Sequence, residues 1–189
     1  IGDQAKKFGF ESQFDVPMSA AISRFPIDPN QPQTAMSAIG QFDVRASALQ
    51  MALVAAGIAN DGVVMKPYLV SQLLGTDLTV LQSTNPVAFG RAMKSENAKI
   101  LRDMMVGVVE NGTASRARIS GIAVGGKTGT AENVPGDPAH AWFVGIAPAE
   151  GAKIVIAVVL QNGGGATEVS GNALAALIAT AVMRAILKQ

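Results

Sequence analysis

Three stretches of the chain carry the hydrophobic spacing of helices. In residues 48–59 apolar side chains lie nearly all round the helix, which predicts a buried helix, and Ser47 with Gln50 forms a capping box at its start. Residues 173–187 predict a mostly apolar helix that closes the chain. Residues 95–109 carry a single apolar stripe, made of Ile100, Leu101, Met104, Met105 and Val108.

Strand-like runs lie between the helices predicted over residues 95–109 and 173–187. They cover residues 123–132, 141–147 and 153–161, and a tight Pro-Ala-Glu-Gly link joins the last two into an antiparallel hairpin. Earlier, residues 63–74 read as extended chain and residues 75–86 as a hairpin or loop. Helices followed by strands and a final helix predict an α+β fold, with helices packed on an antiparallel sheet.

Residues 11–41 show little periodicity. Four prolines block regular structure there, so the sequence predicts a long ordered loop. The prolines are Pro17, Pro26, Pro29 and Pro32. We therefore expect one domain over residues 1–189, divided into a loop excursion (11–41), a helical part (42–122) and a part with strands and the C-terminal helix (123–189).

Composition narrows the function classes. The 189 residues are 49% hydrophobic and 15% charged, which is typical of a packed globular domain, and a net charge of +1 gives no basic field for nucleic acid. Cysteine is absent and there is one histidine, His140. Thiolate chemistry, disulfides and a histidine-rich metal site are therefore excluded, and we expect neither a metal nor a cofactor.

Residues 121–133, GIAVGGKTGTAEN, satisfy two binding motifs at once. Gly121, Gly126, Lys127 and Thr128 match the phosphate-binding pattern G-x-x-x-x-G-K-[ST]. That loop must open a helix, but Pro135, Gly136 and Pro138 follow, and the preceding residues 113–120 are polar rather than a buried strand. The nucleotide interpretation is therefore rejected.

Lys127, Thr128 and Gly129 also spell K-T-G, a motif of serine enzymes that react with penicillin. In acyl transfer Lys127 supplies a cation, Thr128 and Thr130 supply hydroxyl and amide donors along a strand edge, and Gly129 lets a substrate backbone approach. Three residues alone are weak support, because an ordinary exposed strand with a surface lysine gives the same letters.

The surrounding segments strengthen this interpretation by their order and spacing. They are KKFGF (6–10), SAIGQ (37–41), LQMA (49–52), ANDG (59–62), VENGTA (109–114), GKTGTAE (126–132) and AWFVG (141–145). Over nearly the whole chain this series resembles the C-terminal part of the transpeptidase domain of class B penicillin-binding proteins, above all those of actinobacteria. The resemblance implies the penicilloyl-serine transferase fold, incomplete in this chain.

The resemblance also implies D,D-transpeptidation, in which a serine attacks the D-Ala-D-Ala end of a peptidoglycan stem peptide and β-lactams acylate the same serine. Lys127 and Thr130 would be catalytic, and Thr128, Gly129 and Thr130 would bind the substrate carboxylate or backbone. Implied partners are the stem peptide, β-lactams, the N-terminal remainder of the protein and cell-wall or division machinery. The implied location is the outer face of the cell membrane, and no cofactor is implied.

The chain departs from the family at the nucleophile. No serine is followed by lysine three positions later, so the S-x-x-K motif is absent. Ser83 and Ser95 each open an S-x-N triplet, but both fall too late in the order, and Ser95 reads as a helix N-cap. The start of the chain reads as a helix end closed by Gly9. We therefore expect further residues upstream, including the serine.

Three alternatives to transpeptidation keep the same fold: a serine β-lactamase, a D,D-carboxypeptidase, and a non-catalytic β-lactam sensor or structural module. Two segments also stay open. Residues 37–41 form either a turn before the helix or part of the cleft, and residues 111–113 form either a helix C-cap or cleft lining. His140, in the link before the second main strand, is expected to be structural or solvent-facing, and Trp142 and Phe143 are expected to pack the sheet.

Overall fold

The computed structural model describes residues 1–16, 18, 20–133, 135–165 and 169–188. Pro17, one of the prolines of the predicted loop, lies outside the described residues. The helices are α1 (Gly2–Lys7), α2 (Gln31–Ala38), α3 (Ala48–Ala59), α4 (Ser95–Asn111) and α5 (Ala176–Leu187). The strands are β1 (Val63–Met65), β2 (Gln72–Leu74), β3 (Val80–Ser83), β4 (Ala88–Arg91), β5 (Gly125–Ala131), β6 (His140–Ala147) and β7 (Ile154–Leu160).

A three-stranded antiparallel sheet, in the order β5-β6-β7, organises the molecule. Its register pairs Gly126 with Gly145 and Gly129 with Trp142. Phe143 is fully buried in the main core with Val109 and Met183 of α4 and α5. The predicted three strands, their antiparallel hairpin and the α+β class are confirmed.

Helix α3 packs against β6 and β7, and Ser47 caps it as predicted, because its hydroxyl accepts a hydrogen bond from Gln50 N at 3.1 Å. The capping box is only half formed. The Gln50 side chain donates instead to Phe8 O at 2.7 Å, which ties α3 to the end of α1. A buried amide therefore joins the N-terminal residues to the core of the molecule.

The apolar stripe predicted for α4 is partly wrong. Ile100 and Met104 are exposed, whereas Ala98, Met105 and Val109 are buried. Arg102 lies on the packed face, where its guanidinium donates to Ile58 O and to Asp61 Oδ1 at the end of α3. The packed face of α4 therefore includes a charged residue, which caps the end of a neighbouring helix.

Residues 11–41 are not one irregular loop, because they contain α2. Asn30 is its N-cap and forms a full capping box with Gln33. Pro32 stands at the second helical position, where its missing N–H has no partner to lose. The prediction was wrong because the proline was treated as a helix breaker when it marks a helix start.

Ser95 is likewise not the N-cap of α4. Lys94 holds that position with extended backbone, and Ser95 begins the helix itself. Two short two-stranded sheets lie between α3 and α4: β1 pairs with β4, and β2 forms a hairpin with β3. Strand β4 was not predicted, since four residues with a glycine at the third carry no periodic signal.

The C-terminal helix begins with a π-helical turn, Gly171–Ala175, which leads into α5. Ser170 caps the turn by accepting a hydrogen bond from Ala173 N at 3.1 Å. Within the described ranges, none of the helices combines the length and the apolar character needed to span a bilayer.

Candidate active site

The K-T-G residues lie in the middle of β5, which is an edge strand of the sheet. Lys127 and Thr130 are exposed, and Thr128 and Gly129 are half-buried. A strand, not a helix, follows the glycine-rich run, which agrees with the rejection of the nucleotide interpretation. The motif therefore presents a lysine and two threonines to solvent on one edge of the sheet.

The side chain of Lys127 lies against the backbone of its own strand. Its ammonium donates to Thr128 O at 2.7 Å. In an antiparallel strand residues two apart direct their backbone groups to the same side. The amide of Thr130 thus lies on the same edge as this carbonyl, close to the only lysine of the strand.

A hydroxyl pair lies next to the lysine. Thr113 Oγ1 and Thr128 Oγ1 are 3.0 Å apart. Thr113 follows α4, and Gly112 is the C-cap residue of that helix. The helix-end role of residues 111–113 is therefore confirmed, and Thr113 in addition contacts the K-T-G strand.

The backbone of Gly129 is closely packed against the π-helical turn and against Trp142. A Cβ placed on Gly171 would lie 2.2 Å from Trp142 O and 2.9 Å from Gly129 O. A Cβ on Gly129 itself would lie 3.2 Å from the Cβ of Trp142. Two glycines thus let the π-helical turn touch the backbone of the candidate site, a contact that the sequence did not predict.

The segment of residues 39–41 faces the strand across a cleft of about 250 Å³. Its lining includes Ile39, Gly40 and Gln41 on one side and all four residues 127–130 on the other. Of the two roles considered for residues 37–41, the structure places this segment at the cleft. Met51 of α3 and Trp142 of β6 form the apolar floor.

A larger cavity, about 900 Å³, adjoins this cleft beyond Trp142. Glu132 and His140 line it together with Arg45. His140 Nδ1 accepts a hydrogen bond from Asn162 N at 3.0 Å, so the neutral ring carries its proton on Nε2. His140 is the first residue of β6 rather than part of the link before it.

Ser83 and Ser95, the two serines considered from the sequence as S-x-N candidates, lie away from the cleft that residues 127–130 line. Ser83 ends β3 in the exposed β2–β3 hairpin, and Ser95 starts α4. Neither lines the cleft.

Arg118 donates to Val109 O and Glu110 O, and so holds the end of α4. Phe143 packs in the core as predicted, whereas Trp142, predicted to pack the sheet, is half-buried and lines the cleft.

This arrangement is suited to binding a carboxylate beside a peptide backbone. An ammonium, two hydroxyls and an exposed edge amide are donors, which is what an anionic group requires. A strand edge also pairs with an extended peptide by main-chain hydrogen bonds. The predicted site residues Lys127, Thr128, Gly129 and Thr130 are contiguous here, and Thr113 joins them.

The family model described as the penicillin-binding protein transpeptidase domain matches residues 1–187. The chain is 43% identical over 157 residues to the peptidoglycan D,D-transpeptidase PbpA of Mycolicibacterium smegmatis, covering 82% of the chain and 32% of that relative. It is 37% identical over 192 residues to PbpA of Mycobacterium tuberculosis, covering 100% of the chain and 39% of that relative. The chain thus spans roughly a third of the length of these relatives.

Solved structures give the same result. A ceftriaxone acyl-enzyme complex of penicillin-binding protein A from M. tuberculosis matches with a TM-score of 0.93 and 37% identity, covering 98% of the chain and 42% of that structure. The D,D-transpeptidase domain of a peptidoglycan glycosyltransferase from Eggerthella lenta matches at 0.81 and 31%, covering 98% and 46%. The predicted family and the penicilloyl-serine transferase fold are confirmed, and the chain belongs to the penicillin-binding protein transpeptidase domain family.

Proposed function

We propose that this chain is the K-T-G side of a serine-type D,D-transpeptidase that cross-links peptidoglycan stem peptides. The observation that carries the proposal is the arrangement of Lys127, Thr128 and Thr130 on an open strand edge, with Thr113 Oγ1 3.0 Å from Thr128 Oγ1. The similarity to proteins named peptidoglycan D,D-transpeptidases supports it. Acyl-enzyme complexes with β-lactams among the structural relatives support penicillin binding.

The nucleophilic serine lies in a part of the protein beyond these residues. Two facts support this: no serine of the chain has a lysine three positions later, and the chain spans 32% and 39% of the two relatives. Serine Oγ attacks the carbonyl of the penultimate D-alanine, and a base takes its proton. The bond to the terminal D-alanine breaks, and the leaving amine receives the proton.

In the second half of the reaction, an amine from another stem peptide attacks the serine ester. Its lost proton returns through the base to the serine, and the cross-link forms. The β5 residues have defined tasks in both halves. Lys127, Thr128 and Thr130 bind the substrate carboxylate, Gly129 gives the peptide room, and the Thr130 amide donates to the developing oxyanion.

The location and wider partners belong to the same proposal. Anchoring in the cell membrane with the domain on the outer face, and work with cell-wall or division machinery, are supported by family resemblance. Fractionation of cells that carry the intact, tagged protein tests the location. Recovery in the membrane fraction, with the domain open to external protease, is the expected result, and a soluble internal protein would contradict it.

The activity is tested by acylation of the intact protein with a fluorescent penicillin. We expect Lys127→Ala to lower the second-order acylation rate by about a hundredfold, since it removes the cation of the cleft. Lys153→Ala is the matched control, because Lys153 is an exposed lysine just before β7. An unlabelled wild-type protein, or equal labelling of the wild-type and Lys127→Ala proteins, would overturn the proposal.

The same experiment separates the alternatives. A transpeptidase keeps the label for many minutes and joins an amine acceptor to a D-Ala-D-Ala peptide. Rapid release of hydrolysed penicillin would indicate a β-lactamase, and release of D-alanine without acceptor transfer would indicate a carboxypeptidase. Stable labelling with neither peptide reaction would indicate a sensor.

A further inference from the structure

Thr113 lies outside the K-T-G motif, yet its hydroxyl is 3.0 Å from that of Thr128. Either oxygen can donate in this bond. Only one of the two hydroxyl protons lies between the oxygens, so the other hydroxyl keeps a proton for a third partner. The pair therefore offers one directed donor, and its direction depends on which threonine donates internally.

The position of Lys127 decides that direction. Its ammonium lies 2.7 Å from Thr128 O, so the cation of the cleft sits at Thr128 rather than at Thr113. An anion bound by this cation lies next to Thr128. A carboxylate accepts hydrogen bonds only, so Thr128 must donate to it. Thr128 can do so when Thr113 supplies the proton of the shared bond.

The backbone around Thr113 is fixed before any ligand arrives. Gly112 N and Ala114 N both donate to Val108 O, at 3.1 and 3.2 Å, and Ala114 is fully buried. A Cβ on Gly112 would lie 2.9 Å from the same carbonyl. Thr113 is thus held between two anchored neighbours, which keeps its Cβ beside Thr128 without a ligand.

We propose that Thr113 is a positioning residue for the substrate carboxylate: it donates to Thr128 Oγ1 and so directs the Thr128 proton toward that carboxylate. Each bond in such a chain polarises the next, which strengthens the final bond to the anion. The inference rests on the proposed function and adds to it a residue outside the K-T-G motif. It concerns recognition of the carboxylate and assigns no chemical step to Thr113.

The test uses the intact protein and two forms of one penicillin, the free carboxylate and its methyl ester. For Thr113→Val we expect acylation by the carboxylate form to slow about three- to tenfold, the worth of one hydrogen bond, with the ester unaffected. Thr113→Ser keeps a hydroxyl and should restore the rate. In the Thr128→Val background, Thr113→Val should cost nothing more.

Thr84→Val is the matched control, because Thr84 Oγ1 also makes a hydrogen bond, to Val70 O, but does so beside the β2–β3 hairpin. Equal slowing with acid and ester would show a merely structural role and overturn the inference, as would unchanged rates or no rescue by serine. If Thr113→Val does not fold, Thr113→Ala is measured in the same way. A wild-type protein that penicillin does not acylate would overturn the proposed function, and this inference with it.

Discussion

At the scale of single residues, hydrogen bonds made by threonine side chains recur at positions that orient a neighbour. Thr128 pairs with Thr113 at the cleft, and the Thr180 hydroxyl donates its single proton to Ala176 O at 2.7 Å, with Arg116 O at 3.1 Å as the longer alternative acceptor. Thr79 donates through both its amide and its hydroxyl to Asp77 Oδ1, at 3.1 and 2.7 Å. Each of these hydroxyls has a defined partner, so each is open to a valine substitution of the same shape.

The turn between β2 and β3 gives a pH prediction. The Thr79 hydrogen bonds lower the pKa of the Asp77 carboxyl below its ordinary value of 3.8. Because the folded-state pKa is the lower one, the turn gains stability above the ordinary value and loses it as the pH falls through the lowered pKa. Thr79→Val should raise the Asp77 pKa, measured by NMR titration of the carboxyl carbon. Thr84→Val should leave it unchanged, and an unaltered titration in Thr79→Val would contradict the assignment.

At the scale of elements, the candidate site is built where three separate segments meet β5. Thr113, just after α4, bonds to Thr128, and residues 39–41 line the opposite side of the cleft. The π-helical turn packs against the backbone of Gly129. Asn172 joins the π-helical turn to the short 3-10 turn Ser115–Ala117 that follows α4, since its Oδ1 accepts a hydrogen bond from Arg116 N at 3.0 Å. The geometry of the strand therefore depends on elements distant in sequence.

The contact of the π-helical turn gives a prediction at this scale. In Gly171→Ala the new methyl group would lie 2.2 Å from Trp142 O of β6 and 2.9 Å from Gly129 O of β5, so the sheet or the turn must move. We expect the variant to lose about 1–3 kcal/mol of unfolding free energy and to be acylated more slowly by penicillin. Gly90→Ala is the control, because nothing lies within 4 Å of a Cβ at Gly90. A Gly171→Ala protein with unchanged stability and rate would show that the contact is unimportant.

At the scale of the whole molecule, one core joins the sheet to α4 and α5, two of the three helices that pack on it. Phe143 is fully buried in it, and the ring occupies the space above two glycines, since a Cβ on Gly126 or Gly145 would lie 2.7 Å from ring atoms. Met183 of α5 and Val109 of α4 share this core. The site strand is therefore anchored through the register of β5 and β6 to the centre of the fold.

Removal of this ring should be costly. We expect Phe143→Ala to lower the free energy of unfolding of the intact protein by about 3–5 kcal/mol, since the two glycines cannot fill the space left. Chemical denaturation followed by fluorescence measures the change. Tyr68→Ala is a suitable control, because Tyr68 is 45% exposed. A loss for Phe143→Ala no larger than that control would contradict the packing described.

The local sequence determined the elements whose signals are periodic or chemical. Helix α3, the three main strands and the placement of K-T-G on a strand all followed from spacing and from Pro135 and Pro138. Two signals were misjudged although they were local. Pro32 starts α2, and Arg102 takes a place on the packed face of α4.

Only the tertiary structure decided which segments surround the motif. Thr113 is 15 residues before Thr128, and Gly171 lies 42 residues beyond Gly129, so no helical or strand period connects them. Their contacts depend on how α4 and the π-helical turn pack on the sheet, which side-chain volumes throughout the core determine together. The sequence thus determined the chemistry of the strand, and packing decided which residues support and orient it.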